Sequence, residues 1–261
     1  MTWYRLKSFF AFLFSSTNQY GVHPPFLYRF ITRCLYAKIS KPELQALKSA
    51  RQPILQSNET ITMQDFGAGS QKFSTVERSV SRVAKKAGMP LHQSKLMQKI
   101  TDYFNVKSAL ELGTSVGLGS IAMSCNRPTL NLDTVDACPN TSAIAQQHFQ
   151  ELNLRNISVC NTEFKSFLKH LPQDKIYDLI YLDGHHEKEG TLAYIKKLKK
   201  HIHKDSVVII DDIYWSADME GVWQNLCEDK DVKLSLDLYF WGILFFKPEL
   251  SKQHFKIRCF Y

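Results

Sequence analysis

From Ser108 onward the chain alternates short apolar runs with helical stretches five times, and this alternation constrains its fold more than any other feature. The runs are Ser108–Leu112, Thr129–Val135, Ile157–Cys160, Tyr177–Leu182 and Val207–Ile210. Between and after them, helical periodicity recurs near Gly117–Ser124, Ser142–Leu152, Glu163–His170, Lys188–His203 and Met219–Cys227. Strands separated by helices join through right-handed crossovers, which makes the sheet parallel and puts helices on both faces. Two later runs, Val232–Leu238 and Gly242–Phe246, have no helix between them and read as a hairpin at the sheet edge. The expected class is α/β, a doubly wound, mostly parallel Rossmann-like sheet with an antiparallel C-terminal hairpin.

The preceding residues follow another pattern. Helical stretches are expected at Trp3–Phe14, Phe26–Ala37, Pro42–Arg51 and Leu91–Phe104, with a break at Gly21–Pro25. Ser74-Thr75-Val76-Glu77 has the spacing of a capping box and predicts a helix running to about Ala87. The expected organisation is a helical N-terminal extension over 1–104 and a catalytic domain over 105–261. Phe9–Phe14 lies behind Arg5 and Lys7 like a short signal core, but it is far shorter than the ~20 residues that cross a bilayer. A helix packing its aromatics on the domain, or resting at a membrane surface, accounts for it. The six cysteines form no C-x-x-C pair and suit free thiols, so the expected location is cytoplasmic.

Ligands of open α/β sheets bind beyond the carboxyl ends of the strands. The first such end reads Leu110-Glu111-Leu112-Gly113-Thr114-Ser115-Val116-Gly117, an acid followed by glycines that let the backbone turn tightly. The next strand ends in Asp136, placed to accept hydrogen bonds from ribose hydroxyls. The G-x-G-x-x-G order of a dinucleotide fold is missing, and so is a G-x-x-x-x-G-K-[ST] phosphate loop. Asp65-Phe66-Gly67-Ala68-Gly69-Ser70 has a similar glycine spacing, but no second acid ends a strand some 20 residues on. It is set aside as a lid or a surface turn.

Together these residues resemble motifs I and II of class I S-adenosylmethionine-dependent methyltransferases, over roughly Ser108 to Phe246. The resemblance implies Glu111 near the methionine end of the cofactor, with Gly113, Thr114, Ser115 and Gly117 against its backbone. It further implies Asp136 and the adjoining Ala137 at the ribose, and Thr162, Glu163 and Phe164 at the adenine. The fourth strand ends in Asp183-Gly184-His185-His186 and the fifth in Asp211-Asp212. That rim is similar to the metal-dependent small-molecule O-methyltransferases, the catechol and caffeoyl-CoA types, and to predicted O-methyltransferases found across bacteria. The similarity implies Asp183, Asp211 and Asp212 as ligands of Mg²⁺ or another divalent cation. It also places Asp183 among the cofactor contacts and, with His186, among the catalytic groups. His186 stands where the catechol enzymes carry a lysine, which leaves the base open. Neighbouring strand residues point to opposite faces, so Asp211 and Asp212 can share a metal only if the strand ends between them.

The expected activity is methylation of an oxygen on a small molecule. Three alternatives are a non-catalytic cofactor-binding protein, and a methyltransferase acting on RNA or on protein. The net charge of +8 invites a nucleic-acid partner. However, the densest basic cluster, Lys196 to Lys204, reads as a solvated helix face, and no aromatic-flanked loop for base methylation is present. A small-molecule acceptor is therefore the expected partner, with no transmembrane segment; a homodimer is compatible with the sequence.

Overall fold

The computed structural model describes residues 2–64, 75–184 and 187–259, which form two compact units. One comprises Met1–Ala37 with Pro172–Tyr261 and the other Lys38–Leu171. The expected boundary after residue 104 falls inside the second of these. Asp65–Ser70, Ser74, His185 and His186 lie outside the described residues.

The first unit opens with α1 (Trp3–Ser15), capped by the Thr2 hydroxyl, which accepts from Arg5 N–H. Next comes α2 (Pro25–Phe30), which starts on a proline and relaxes into a π-helical turn over Ile31–Leu35. In that turn Tyr36 N–H reaches back to the Ile31 carbonyl.

The second unit begins with α3 (Lys41–Gln56), where Ser40 and Glu43 form a capping box and the helix continues through Pro53. It then runs β1 (Thr60–Gln64), β2 (Thr75–Ser79), α4 (Val80–Ala87) and α5 (Leu91–Tyr103). β1 and β2 pair antiparallel from Thr60↔Ser79 to Gln64↔Thr75. The helix expected from Ser74 is thus corrected to a strand, because Thr75–Ser79 finds its hydrogen bonds on β1 and the helix starts only after Ser79. The unit closes with β3 (Ser108–Leu112), α6 (Leu118–Ser124), β4 (Asn131–Asp136), α7 (Pro139–Glu151), β5 (Ile157–Asn161) and α8 (Phe164–His170). β3, β4 and β5 are neighbours in that order and parallel, so their carboxyl ends share an edge.

The first unit resumes with β6 (Tyr177–Leu182), α9 (Lys188–Leu198), β7 (Ile202–Asp211), α10 (Ala217–Glu228), β8 (Leu234–Asp237), β9 (Trp241–Phe245) and β10 (Gln253–Lys256). The helix expected to run to His203 stops at Leu198, and β7 begins five residues before Val207. The register between β6 and β7 jumps from Tyr177↔Ile202 to Leu179↔Val207, and this irregularity takes up the extra residues. The strand order here is β10-β8-β9-β7-β6. β9 is antiparallel to both β7 and β8, as expected of the hairpin. β10, which the sequence pattern missed, adds parallel to β8, so the hairpin is not the outer edge. The fold is therefore the expected mostly parallel α/β sheet flanked by helices, with antiparallel strands near its C-terminus.

Apolar burial holds each unit. Leu110, Val116, Ile121, Leu132, Val135 and Phe149 pack around the β3–α6 turn. Tyr177, Tyr181, Ile209, Leu236, Trp241 and Phe245 fill the other core, where Phe26 and Phe30 meet Phe245 edge-on at 5.2 and 5.5 Å. Of the basic cluster, Lys196, Lys197, Lys200 and Lys204 are exposed, while Lys199 pairs with Asp229 and Asp231 at 2.6 and 2.7 Å. Among the described residues no helix is long and apolar enough to cross a membrane.

Candidate active site

The loop after β3 turns through three left-handed residues, Gly113 (φ 114°), Ser115 (φ 47°) and Gly117 (φ 86°). Glycine is required at 117 on two counts. A Cβ there would stand 2.7 Å from the Phe149 ring, and L-residues rarely take that φ.

Below the loop lies a buried chain of hydroxyls ending on a carboxylate. Thr134 donates to Glu111 Oε2 at 2.6 Å, which leaves Thr114 as the donor in the 2.6 Å Thr114–Thr134 contact. Ser120 donates to the same Glu111 oxygen. Glu111 is 1% exposed and braces the loop from within. The sequence reading, which put it near the cofactor's methionine end, missed Thr134, Ser120 and Phe149, whose roles depend on contacts across strands and helices.

Above the loop, the Asp136 carboxylate accepts Ser115 N–H at 2.7 Å on one oxygen and Cys138 N–H at 2.8 Å on the other. Burial pushes this carboxyl above its ordinary value, while the Cys138 and Ser115 N–H groups and the Thr141 hydroxyl oppose the shift. A carboxylate offers about four lone-pair sites, so the two oxygens retain acceptor capacity toward a ligand's hydroxyls. Thr162 N–H donates to the Asp136 carbonyl at 3.1 Å, and Asn161 Nδ2 does so at 2.9 Å. These bonds bring the end of β5 beside Asp136. Gly113, Ser115, Asp136, Ala137, Thr162 and Phe164 are half-buried and Glu163 is exposed, whereas Thr114 and Gly117 are covered.

The other unit carries the acids. Asp183 follows β6 and accepts from the Tyr181 hydroxyl at 3.2 Å. Asp211 ends β7 and is hydrogen-bonded to Asp183; its Oδ1 is enclosed and has no partner among the described residues. Burial, the charges of Asp183 and Asp212, and that shared bond drive the Asp211 carboxyl well above the ordinary range. Ionisation of Asp211 is thus disfavoured beside Asp183. Asp212 takes a left-handed φ of 49° and turns instead to Arg5 of α1, at 3.2 Å. The Arg5 guanidinium lies 4.9 Å from the Trp215 ring centre, and its carbonyl accepts from the Tyr239 hydroxyl at 2.7 Å. β7 ends at Asp211, between the two acids, so strand alternation does not keep them apart; the pair with Arg5 is what turns Asp212 away.

This geometry does not fit the three-carboxylate cation site implied by the resemblance. Among the described residues no group of three or more His, Cys, Asp or Glu stands close enough to hold a metal ion. Asp183 and Asp211 are hydrogen-bonded to each other, and Asp212 is paired with Arg5.

Residues 110–213 match a family model described as a methyltransferase domain. No curated protein sequence matches the chain significantly. Among solved structures, the fold is similar to an SAH-bound methyltransferase of Podospora anserina (15% identity, 80% of this chain and 89% of that one, TM-score 0.57). It is also similar to the O-methyltransferase TomG of Streptomyces achromogenes in complex with SAM (15% identity, 82% and 92% covered, TM-score 0.54). A third likeness is to an O-methyltransferase of Bacillus cereus in complex with SAH (14% identity, 84% and 94% covered, TM-score 0.55).

Proposed function

We propose that this chain, a class I S-adenosylmethionine-dependent methyltransferase, methylates an oxygen of a small molecule. The observation that carries the reading is the Asp136 carboxylate. It ends β4, ties down the glycine loop through Ser115 N–H, and keeps lone pairs for a ribose diol. In this reading the accessible backbone of Gly113 and Ser115 lines the amino-acid portion of the cofactor. Ala137, Thr162, Glu163 and Phe164 line the adenine, and Glu111, Thr114 and Gly117 set the loop's shape from beneath.

When bound, the cofactor supplies an electrophilic sulfonium methyl. The acceptor oxygen forms a bond to the methyl carbon as the carbon–sulfur bond breaks, and the acceptor's proton must leave. Holding the groups in line contributes ~7–11 kcal/mol toward the barrier. Asp183 is proposed to take the proton. Asp211 is the less suited of the two, because burial and two neighbouring acids disfavour its ionisation. His186 is the second base to be tested. No step is assigned to a divalent cation, since Asp212 is held by Arg5.

Calorimetry with S-adenosylhomocysteine tests the cofactor half. The wild type should bind, and Asp136→Ala should weaken binding by ~1.5–3 kcal/mol, tenfold or more. Equal binding by the two proteins would remove the assignment. For the acceptor half, turnover on a panel of phenols and catechols should survive a chelator and fall ~10²–10⁴-fold in Asp183→Asn. A comparable loss in His186→Ala alone would move the base to that residue.

A further inference from the structure

α1 shows two different faces. Ser8 and Phe12 are buried, Phe9 meets Tyr239 edge-on at 5.0 Å, and Tyr4 donates to Glu220. The opposite face carries Trp3, Leu6, Phe10 and Phe14, which are 79%, 36%, 50% and 90% exposed. Their spacing of three, four and four residues places them in one stripe, within about 80° of the helix circumference. Single exposed apolar residues are ordinary, but four aligned on one helix are a surface built for a partner.

The charge of the segment that carries the stripe says which partner. From Thr2 to Ala37 the chain contains no Asp or Glu, while it carries Arg5, Lys7, Arg29 and Arg33. Lys7 borders the stripe and is exposed, as are Arg29 and Arg33. An apolar stripe with a tryptophan at one end and only positive charge in its segment suits an anionic bilayer, where rings enter the headgroup boundary and cations meet lipid phosphates. A second copy of the same face would set two segments of like charge side by side, with no acid in either to pair with them. The helix has 13 residues, a length of ~20 Å against a hydrocarbon core of ~30 Å, so it fits along a membrane and not across one.

We infer that α1 docks this protein in-plane on an anionic membrane surface through Trp3, Leu6, Phe10 and Phe14. The opposite face of the same helix holds Asp212 through Arg5, so docking would leave the acid rim's clamp intact. The inference is independent of which acceptor the protein methylates.

Co-sedimentation of the full chain with two vesicle preparations tests it, one of phosphatidylcholine and one of phosphatidylcholine with phosphatidylglycerol. The chain should pellet with the anionic vesicles at least about tenfold more than with the neutral ones, and less at high salt. Phe10→Glu with Phe14→Glu should abolish pelleting, and Phe14→Glu alone, at a ring 90% exposed, should weaken it with the melting curve unchanged. Lys7→Gln with Arg29→Gln and Arg33→Gln should remove the preference for anionic lipid. Failure of the wild type to pellet with either vesicle would overturn the inference, and so would equal pelleting of the double Phe variant. A concentration-dependent dimer that the double Phe variant loses would assign the stripe to a second copy and overturn it as well.

Discussion

Asp136 and Asp211 occupy matching places, each the last residue of a parallel strand, yet their surroundings treat the carboxyl group in opposite ways. Both are pushed up by burial. Around Asp136, two backbone N–H groups and the Thr141 hydroxyl counter that push. Around Asp211, two further acids and a shared hydrogen bond add to it, and only the Asp212 N–H opposes it. Hydrogen-bond donors favour the anion, whereas like charges favour the proton. Donors around the first strand end therefore support its negative charge, while the neighbours of the second oppose one. The two carboxyl groups are thus distinguished by their neighbours and not by residue type.

The comparison is broken most severely at Gly117. Valine there would need a left-handed φ and would drive its side chain into Phe149, which stands 2.7 Å from the first added atom. The expected loss is about 2–5 kcal/mol, lowering the melting temperature by ~5–15 °C. An unchanged melting temperature would show that the loop is not held rigidly.

Asp237 sharpens the side on which the charge is opposed. It is fully buried at the end of β8, accepts from the Tyr214 hydroxyl at 2.6 Å and from Tyr239 N–H at 2.7 Å, and is pushed up to about 6, chiefly by burial. A folded value above the unfolded one means that the folded state binds the proton more tightly. The stability so contributed is complete below about pH 4 and is lost as the pH rises through about 6. Relative to Asp237→Asn, the wild type should lose about 2–3 kcal/mol between those limits, read from melting curves across pH. A pH-independent difference would reject the assignment.

The smallest effect is expected at Arg5. Its pair with Asp212 is roughly a quarter exposed on each side, so Arg5→Ala should cost no more than about 1 kcal/mol and less in high salt. Denaturant titration at two ionic strengths reads it. A larger, salt-independent loss would mean that the clamp on Asp212 is part of the core.

Much of this architecture was legible because β3 to β7 are apolar runs broken by glycines and acids at regular intervals. The acids and glycines of both strand ends were likewise visible as residue types. Three things were not. β2 carries an S-x-x-E spacing that imitates a helix start, and only its pairing with β1 decides the matter. β10 has four residues, too few for a period to appear. The separation of Asp212 from Asp211 depends on Arg5, more than two hundred positions away, and no local pattern encodes such a partner.

The unit formed by Met1–Ala37 and Pro172–Tyr261 is interrupted by the whole of Lys38–Leu171. Its ends are sewn together late in the chain. Thr17 bridges to Ile257, and the Tyr36 hydroxyl donates to the Arg258 carbonyl at 2.8 Å. Synthesis runs from the N-terminus at ~5–20 residues per second, so α1 and α2 leave the ribosome on the order of ten seconds before their partner strands exist. During that wait Phe12, Leu27 and Phe30, which end fully covered, lack the later strands of their unit. In this unit, then, the earliest helices are completed by the latest strands, and its closure waits on nearly the whole length of the chain.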